Sequence, residues 1–197
     1  MARACLCVLR QPKSGPVYRS GGVPVRCVFI LGASGTGKTE LVRALLGFPR
    51  VTVVKGRWTA GDGLVAAGPY VGAVLDGPDA LPPAAAVLRA MVRDVGALVQ
   101  GALVLFDGVR FGEAHAHELR AAGHEVVAVL LEAPPELCAG RRANRGSAPM
   151  GASWYRGQAR SAEDVATRIG RVRRVDASRP ARDVVADVRR LLGRASW

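Results

Sequence analysis

From Val25 onward the chain alternates between two hydrophobic patterns. The first is a short unbroken apolar run, seen in VRCVFIL (25–31), VTVV (51–54), ALVLF (102–106), VVAVLL (126–131) and, more weakly, VRRVDA (172–177). Runs this short and uniform are what strands buried on both faces of a parallel sheet look like. The second is apolar spacing at three and four. It begins in ELVRALLG (40–47), which stops on Gly47, and continues in LPPAAAVLRAMVRDVGALVQ (81–100), EAHAHELRAAG (113–123), PELCAGRRANRG (135–146) and SAEDVATRIG (161–170). In the last such segment, ARDVVADVRRLLG (181–193), Val184, Val185, Val188, Leu191 and Leu192 share one helix face. Strands alternating with helices predict βαβ units, and so a right-handed parallel sheet covered on both sides: a three-layer α/β sandwich.

Two stretches stand outside this alternation. Residues 1–24 carry Pro12, Pro16, Pro24 and the pair Gly21–Gly22 with no sustained period, which reads as a basic N-terminal arm or an extra strand ahead of a domain spanning 25–197. Lys55 to Pro83 holds glycine at 56, 61, 63, 68, 72 and 77, with Trp58 and Tyr70 interspersed, and fits neither helix nor strand. An irregular stretch this long within a compact domain is usually functional.

Composition narrows the class. A chain of 197 residues suits one domain with a full core, and 49% hydrophobic residues argue against disorder. No apolar stretch reaches the roughly 18 residues of a membrane span, and MARACLCVLRQPKSG lacks the features of a secretory signal, so the chain reads as soluble and cytoplasmic. Cys5, Cys7, Cys27 and Cys138 show no paired CxxC spacing and are read as reduced thiols; His115 and His117 diverge on a helix and complete no metal site. The formal charge of +12 points to a polyanionic partner such as nucleic acid. Of the 28 basic residues only Lys13, Lys38 and Lys55 are lysines, leaving 25 arginines. A GC-rich coding sequence accounts for arginine replacing lysine, but not for the excess of basic over acidic residues.

The chemistry concentrates in GASGTGKT (32–39), a complete GxxxxGKT that follows a predicted strand and opens a predicted helix, the context a P-loop requires. Gly32, Ala33, Ser34, Gly35, Thr36 and Gly37 would turn backbone N–H groups onto phosphate oxygens, aided by the following helix dipole. Lys38 would reach the β- and γ-phosphates of ATP, and Thr39 would place its hydroxyl on Mg²⁺. ALVLFD then delivers Asp107 to the carboxyl end of a strand, where open α/β sheets bind ligands. Asp107 would hold magnesium, act as a base toward an acceptor, or cap the next turn.

Arg141, Arg142 and Arg145, within PELCAGRRANRG, suit a lid that neutralises charge during phosphoryl transfer; a solvated basic face is the plain alternative. Asn144 is the only asparagine, so no NKxD motif exists, which argues against a Ras-like GTPase. Between Arg57 and Arg89 there is no lysine or arginine, while Asp62, Asp76 and Asp79 are present. A phosphate-bearing acceptor needs cations around it and an alcohol needs a carboxylate, so this stretch favours an alcohol.

These residues resemble the small P-loop kinases, the group of nucleoside monophosphate kinases and gluconate-type kinases, over about residues 25–193. The resemblance implies a P-loop NTPase fold with a five-stranded parallel sheet in the order 2-3-1-4-5, an arginine-bearing lid, ATP with Mg²⁺, and transfer of the γ-phosphoryl group. More narrowly, GPYVGAVLDGPDAL (68–81), FDGVRF (106–111), RRANR (141–145) and SWYRGQAR (153–160) are similar to phage kinases that phosphorylate 5-hydroxymethyluracil in DNA during thymidine hypermodification. Pro78, Asp107, Val109 and Gln158 depart from that pattern.

The expected reaction is therefore phosphorylation of a hydroxymethyl pyrimidine in DNA. Lys38 would hold the phosphates, Thr39 and Asp107 manage magnesium, Asp107 or Asp79 orient the hydroxyl, Arg110 bridge acceptor and phosphate, and Arg141, Arg142 and Arg145 close the lid. Trp58, Tyr70 or Trp154 would stack a flipped base. The alternatives are a kinase of a free nucleotide, nucleoside or small-metabolite hydroxyl, and a DNA-binding ATPase.

Overall fold

The computed structural model describes residues 24–47, 51–53, 57–70, 81, 85–98 and 103–193, with 51–53, 85 and 96–98 described by backbone alone. The expected N-terminal arm, apart from Pro24, therefore lies outside the described residues, as do Asp76 and Asp79. Among these described residues, seven strands and six helices follow in chain order: β1 (Arg26–Gly32), α1 (Lys38–Leu46), β2 (Val51–Val53), β3 (Trp58–Gly61), β4 (Leu64–Ala67), α2 (Ala85–Leu98), β5 (Leu103–Asp107), α3 (Glu113–Ala121), β6 (Glu125–Glu132), α4 (Pro135–Ala143), α5 (Ala152–Ile169), β7 (Val172–Asp176) and α6 (Ala181–Leu192).

All seven strands form one sheet in the order β2-β3-β4-β5-β1-β6-β7. The pairs β4–β5, β5–β1, β1–β6 and β6–β7 are parallel, whereas β2–β3 and β3–β4 are antiparallel. The expected five-stranded sheet is thus corrected to a mixed seven-stranded one. Its parallel part still runs second, third, first, fourth, fifth when those five strands alone are counted. Of VTVV, Val51–Val53 is a strand, but it pairs at the antiparallel edge, and the second parallel strand is LVAA inside the glycine-rich stretch.

The β3–β4 hairpin explains why that stretch looked irregular. Its turn is Asp62–Gly63, with φ of 46° and 73°, between the paired Gly61 and Leu64. Two consecutive positive φ values define the tight turn whose twist matches that of the flanking strands, and Asp-Gly tolerates it best. Gly61 is required for another reason: a Cβ there would lie 2.2 Å from the Leu46 carbonyl oxygen, so the hairpin packs directly on the end of α1.

Side chains alternate across the sheet and build two cores. Cys27, Phe29 and Leu31 of β1 face α2, α3 and α5, through Leu88, Met91, Val95, Leu119, Ala162 and Ile169. Val28 and Ile30 face α1 and α6, through Leu41, Val42, Leu45, Val184 and Val188. Burial on both faces is the physical reason β1 reads as an unbroken apolar run. Helix α5 begins nine residues before its predicted start, so SWYRGQAR is helical. No helix among the described residues is long and apolar enough to cross a membrane.

Candidate functional site

The loop between β1 and α1 is shaped by contacts that only glycine allows. Gly32, Gly35 and Gly37 have φ of 151°, 93° and 93°. A Cβ on Gly35 would sit 2.4 Å from the Cys138 carbonyl oxygen, and one on Gly32 would sit 2.7 Å from that of Leu131. The loop is therefore seated against the backbone of α4 on one side and β6 on another. Thr36, buried, donates its hydroxyl to the Ala33 carbonyl at 2.9 Å and its N–H to the same oxygen at 3.3 Å.

Lys38 opens α1 and folds over this loop, its Nζ donating to the Gly32 and Ala33 carbonyls at 2.9 Å each. An ammonium that donates to neutral carbonyls can exchange them for anionic oxygens at a gain, because the anion adds a direct charge–charge attraction to the hydrogen bond. Next to it, Thr39 Oγ1 donates to Asp107 Oδ2 at 3.1 Å. Asp107 is 4% exposed and ends β5 beside β1. The sheet register thus brings together residues 68 positions apart.

A hydroxyl beside a carboxylate is a hard-oxygen donor set of the type magnesium prefers, and the remaining positions of an octahedron are ordinarily filled by water and phosphate. The two residues therefore fit the ion. Asp107 also accepts from Tyr70 Oη at 3.2 Å. Sequence reasoning missed this partner, and burial overturns the base-stacking role considered for it. Tyr70 and Trp58 are both 0% exposed, and Trp58 packs edge-on against Phe106 with ring centroids 5.8 Å apart.

Arg110 lies half-buried just beyond β5 and donates Nη1 to the Leu81 carbonyl at 3.0 Å. Arg141 and Arg142 project from the last turn of α4 onto the loop. Arg141 Nη1 reaches the Ala177 carbonyl at 2.9 Å and the Thr36 carbonyl at 3.5 Å. Arg142 Nη1 donates to Ser34 Oγ at 2.8 Å, and its guanidinium lies 5.2 Å from the Trp154 ring centroid. Arg145 does not join them. Helix α4 ends at Ala143, and Arg145 sits exposed in the following turn, its N–H on the Arg142 carbonyl.

A cavity of about 370 Å³ opens beside the loop, with Gly32, Ala33 and Thr36 on one wall and Tyr155, Arg156 and Arg160 on another. Arg156 and Arg160 belong to SWYRGQAR, but their placement one turn apart on a helix could be read only once α5 was known to start at Ala152. Cys138, also at this cavity, has its thiol pushed up chiefly by burial, with Arg141 and Lys38 pulling the other way and Glu136 adding to the rise.

No family model matches the chain, and no curated protein does. Among solved structures it is similar to a gluconokinase from Sinorhizobium meliloti 1021, at 20% identity, covering 88% of this chain and 95% of that one with a TM-score of 0.46. A likeness this distant carries nothing about the reaction, which has to be argued from the geometry above.

Proposed function

We propose that the chain is a magnesium- and ATP-dependent phosphotransferase acting on the hydroxyl group of a small molecule or nucleotide. The observation that carries the proposal is the Thr39–Asp107 bond at 3.1 Å, set beside Lys38 on a glycine loop. It joins a phosphate-binding loop to a strand-end acid in the arrangement that phosphoryl transfer uses.

Each residue then has a task. Lys38 and the loop N–H groups hold the phosphates of ATP. Arg141 and Arg142, already on the loop, are placed to neutralise charge as it builds on the transferred group. Thr39 and Asp107 would hold Mg²⁺, which draws charge from the phosphate oxygens when bound. The cation-free stretch from Trp58 to Leu88, with its three aspartates, supports an alcohol rather than a phosphate as acceptor.

A second reading places that hydroxyl on a 5-hydroxymethyl pyrimidine in DNA. It is favoured by the charge of +12 and by the likeness of FDGVRF and SWYRGQAR to the phage kinases. Of the aromatics considered for stacking, only Trp154 keeps any exposed surface, and its ring is engaged by Arg142.

Incubation with γ-labelled ATP, magnesium and three acceptor pools separates the readings: free nucleosides and sugar acids, hydroxymethyluracil DNA, and ordinary DNA. Label in the first pool supports the leading proposal, and label only in hydroxymethyluracil DNA supports the second. Label appearing solely as inorganic phosphate in every pool would overturn both in favour of an ATPase.

A further inference from the structure

We infer that Tyr70 is a positioning residue for Asp107, fixing the orientation in which that carboxylate meets magnesium; the inference rests on the phosphotransferase reading above. Tyr70 is wholly buried and so meets no substrate directly. Its phenol O–H donates to Asp107 Oδ2 at 3.2 Å, the oxygen that also accepts from Thr39 at 3.1 Å. Two donors arriving at one oxygen from different elements define the carboxylate plane, because rotation about the Cβ–Cγ bond disturbs both. The direction of the second oxygen is thereby set.

The support runs further back into the fold. Tyr70 N–H donates to Thr59 Oγ1 at 2.8 Å, and Thr59 donates its hydroxyl to the Gly68 carbonyl at 2.8 Å. Gly68 N–H in turn bonds the Arg57 carbonyl at 2.7 Å. Thr59 is buried in β3, so the hairpin built on Asp62–Gly63 is the rigid base from which Tyr70 reaches Asp107. Second-layer donors of this kind orient metal-binding groups, and their loss typically weakens metal binding about 10- to 100-fold.

The test measures ATP affinity of the full chain by calorimetry, with magnesium and with a chelator, for wild type, Tyr70→Phe, Thr59→Val and Thr59→Ser. Tyr70→Phe should leave metal-free ATP affinity within about two-fold and lose roughly ten-fold of the tightening that magnesium gives, as expected for removing one hydrogen bond to a charged group. The magnesium concentration for half-maximal activity should rise by a similar factor. Thr59→Val should show a smaller loss in the same direction, and Thr59→Ser, which keeps the oxygen, none. A magnesium gain in Tyr70→Phe equal to wild type overturns the inference, as does an equal loss of affinity with and without the metal, the signature of a merely structural role. A wild type whose ATP affinity ignores magnesium defeats the phosphotransferase reading itself, an outcome distinct from either.

Discussion

Arg142 donates to Ser34 Oγ at 2.8 Å while its guanidinium lies 5.2 Å from the centroid of the Trp154 ring. One side chain of α4 thus joins the glycine loop to the first turn of α5. The contact places on the loop an arginine that the sequence reading assigned to a lid, with a solvated basic face as the alternative.

Arg142→Ala should therefore raise the KM for ATP about ten-fold, the combined worth of one hydrogen bond and one cation–π contact. Arg142→Lys should recover little, since an ammonium cannot both stack on Trp154 and reach Ser34 as the planar fork does. Steady-state kinetics with ATP varied would check this, and a lysine variant as active as wild type would reduce the contact to simple charge.

Asp107→Asn should lower phosphoryl transfer at least about a hundred-fold, in the range seen when a preorganised electrostatic group is removed. Its melting temperature should stay near that of wild type, because asparagine keeps the shape of the buried side chain. Arg110→Ala should affect the opposite substrate, raising the acceptor KM and lowering kcat, with ATP affinity within about two-fold. It donates to the Leu81 carbonyl, remote in sequence from the loop. A matching loss of ATP binding would assign Arg110 to the donor side.

Gly35→Ala tests the seating of the loop. The new Cβ would meet the Cys138 oxygen at 2.4 Å, at a residue whose φ is 93°. Backbone lies on both sides of the clash, so loop and helix must separate. A loss of stability of about 2–3 kcal/mol is expected from overpacking combined with left-handed strain. Urea denaturation measures it, and a variant as stable as wild type would mean that α4 yields freely.

His115 and His124 make stability depend on pH. Burial is the main cause that holds both imidazoles below the ordinary 6.5; Arg89 adds to the effect at His115 and Glu118 opposes it. Each imidazole also accepts a backbone N–H at Nδ1, from Gly112 at 3.3 Å and from Val25 at 3.4 Å respectively. Because the folded values are depressed, the unfolded chain binds these protons first. The stability the histidines contribute is complete above 6.5 and is lost as pH falls. Melting temperature should be level from about pH 8 to 7 and fall from about pH 7 to 5.5, with His124→Asn flattening part of the fall. An unchanged slope in that variant would place the titration elsewhere.

The parallel core and the glycine loop after β1 were legible in the sequence because their signals are local. An apolar run buried on both faces looks the same wherever it occurs, and GASGTGKT carries its own geometry. The β3–β4 hairpin was hidden by composition: six glycines drew attention away from Asp62–Gly63, the turn signal between WTAG and LVAA. Tyr70 is a different case. Its partner is 37 residues away, and the bond exists only because β4 lies beside β5 in the sheet. Arg145 was grouped with Arg141 and Arg142 by spacing alone, and the end of α4 at Ala143 separates them.

Tyr70 and Leu81 are each held by a charged residue at the end of β5, the one by Asp107 and the other by Arg110. Asp107 and Arg110 are three positions apart in the sequence. On the proposed chemistry, the donor-side carboxylate and the acceptor-side arginine take their bearings from the same short stretch of chain, so a slip of β5 within the sheet would misplace both at once.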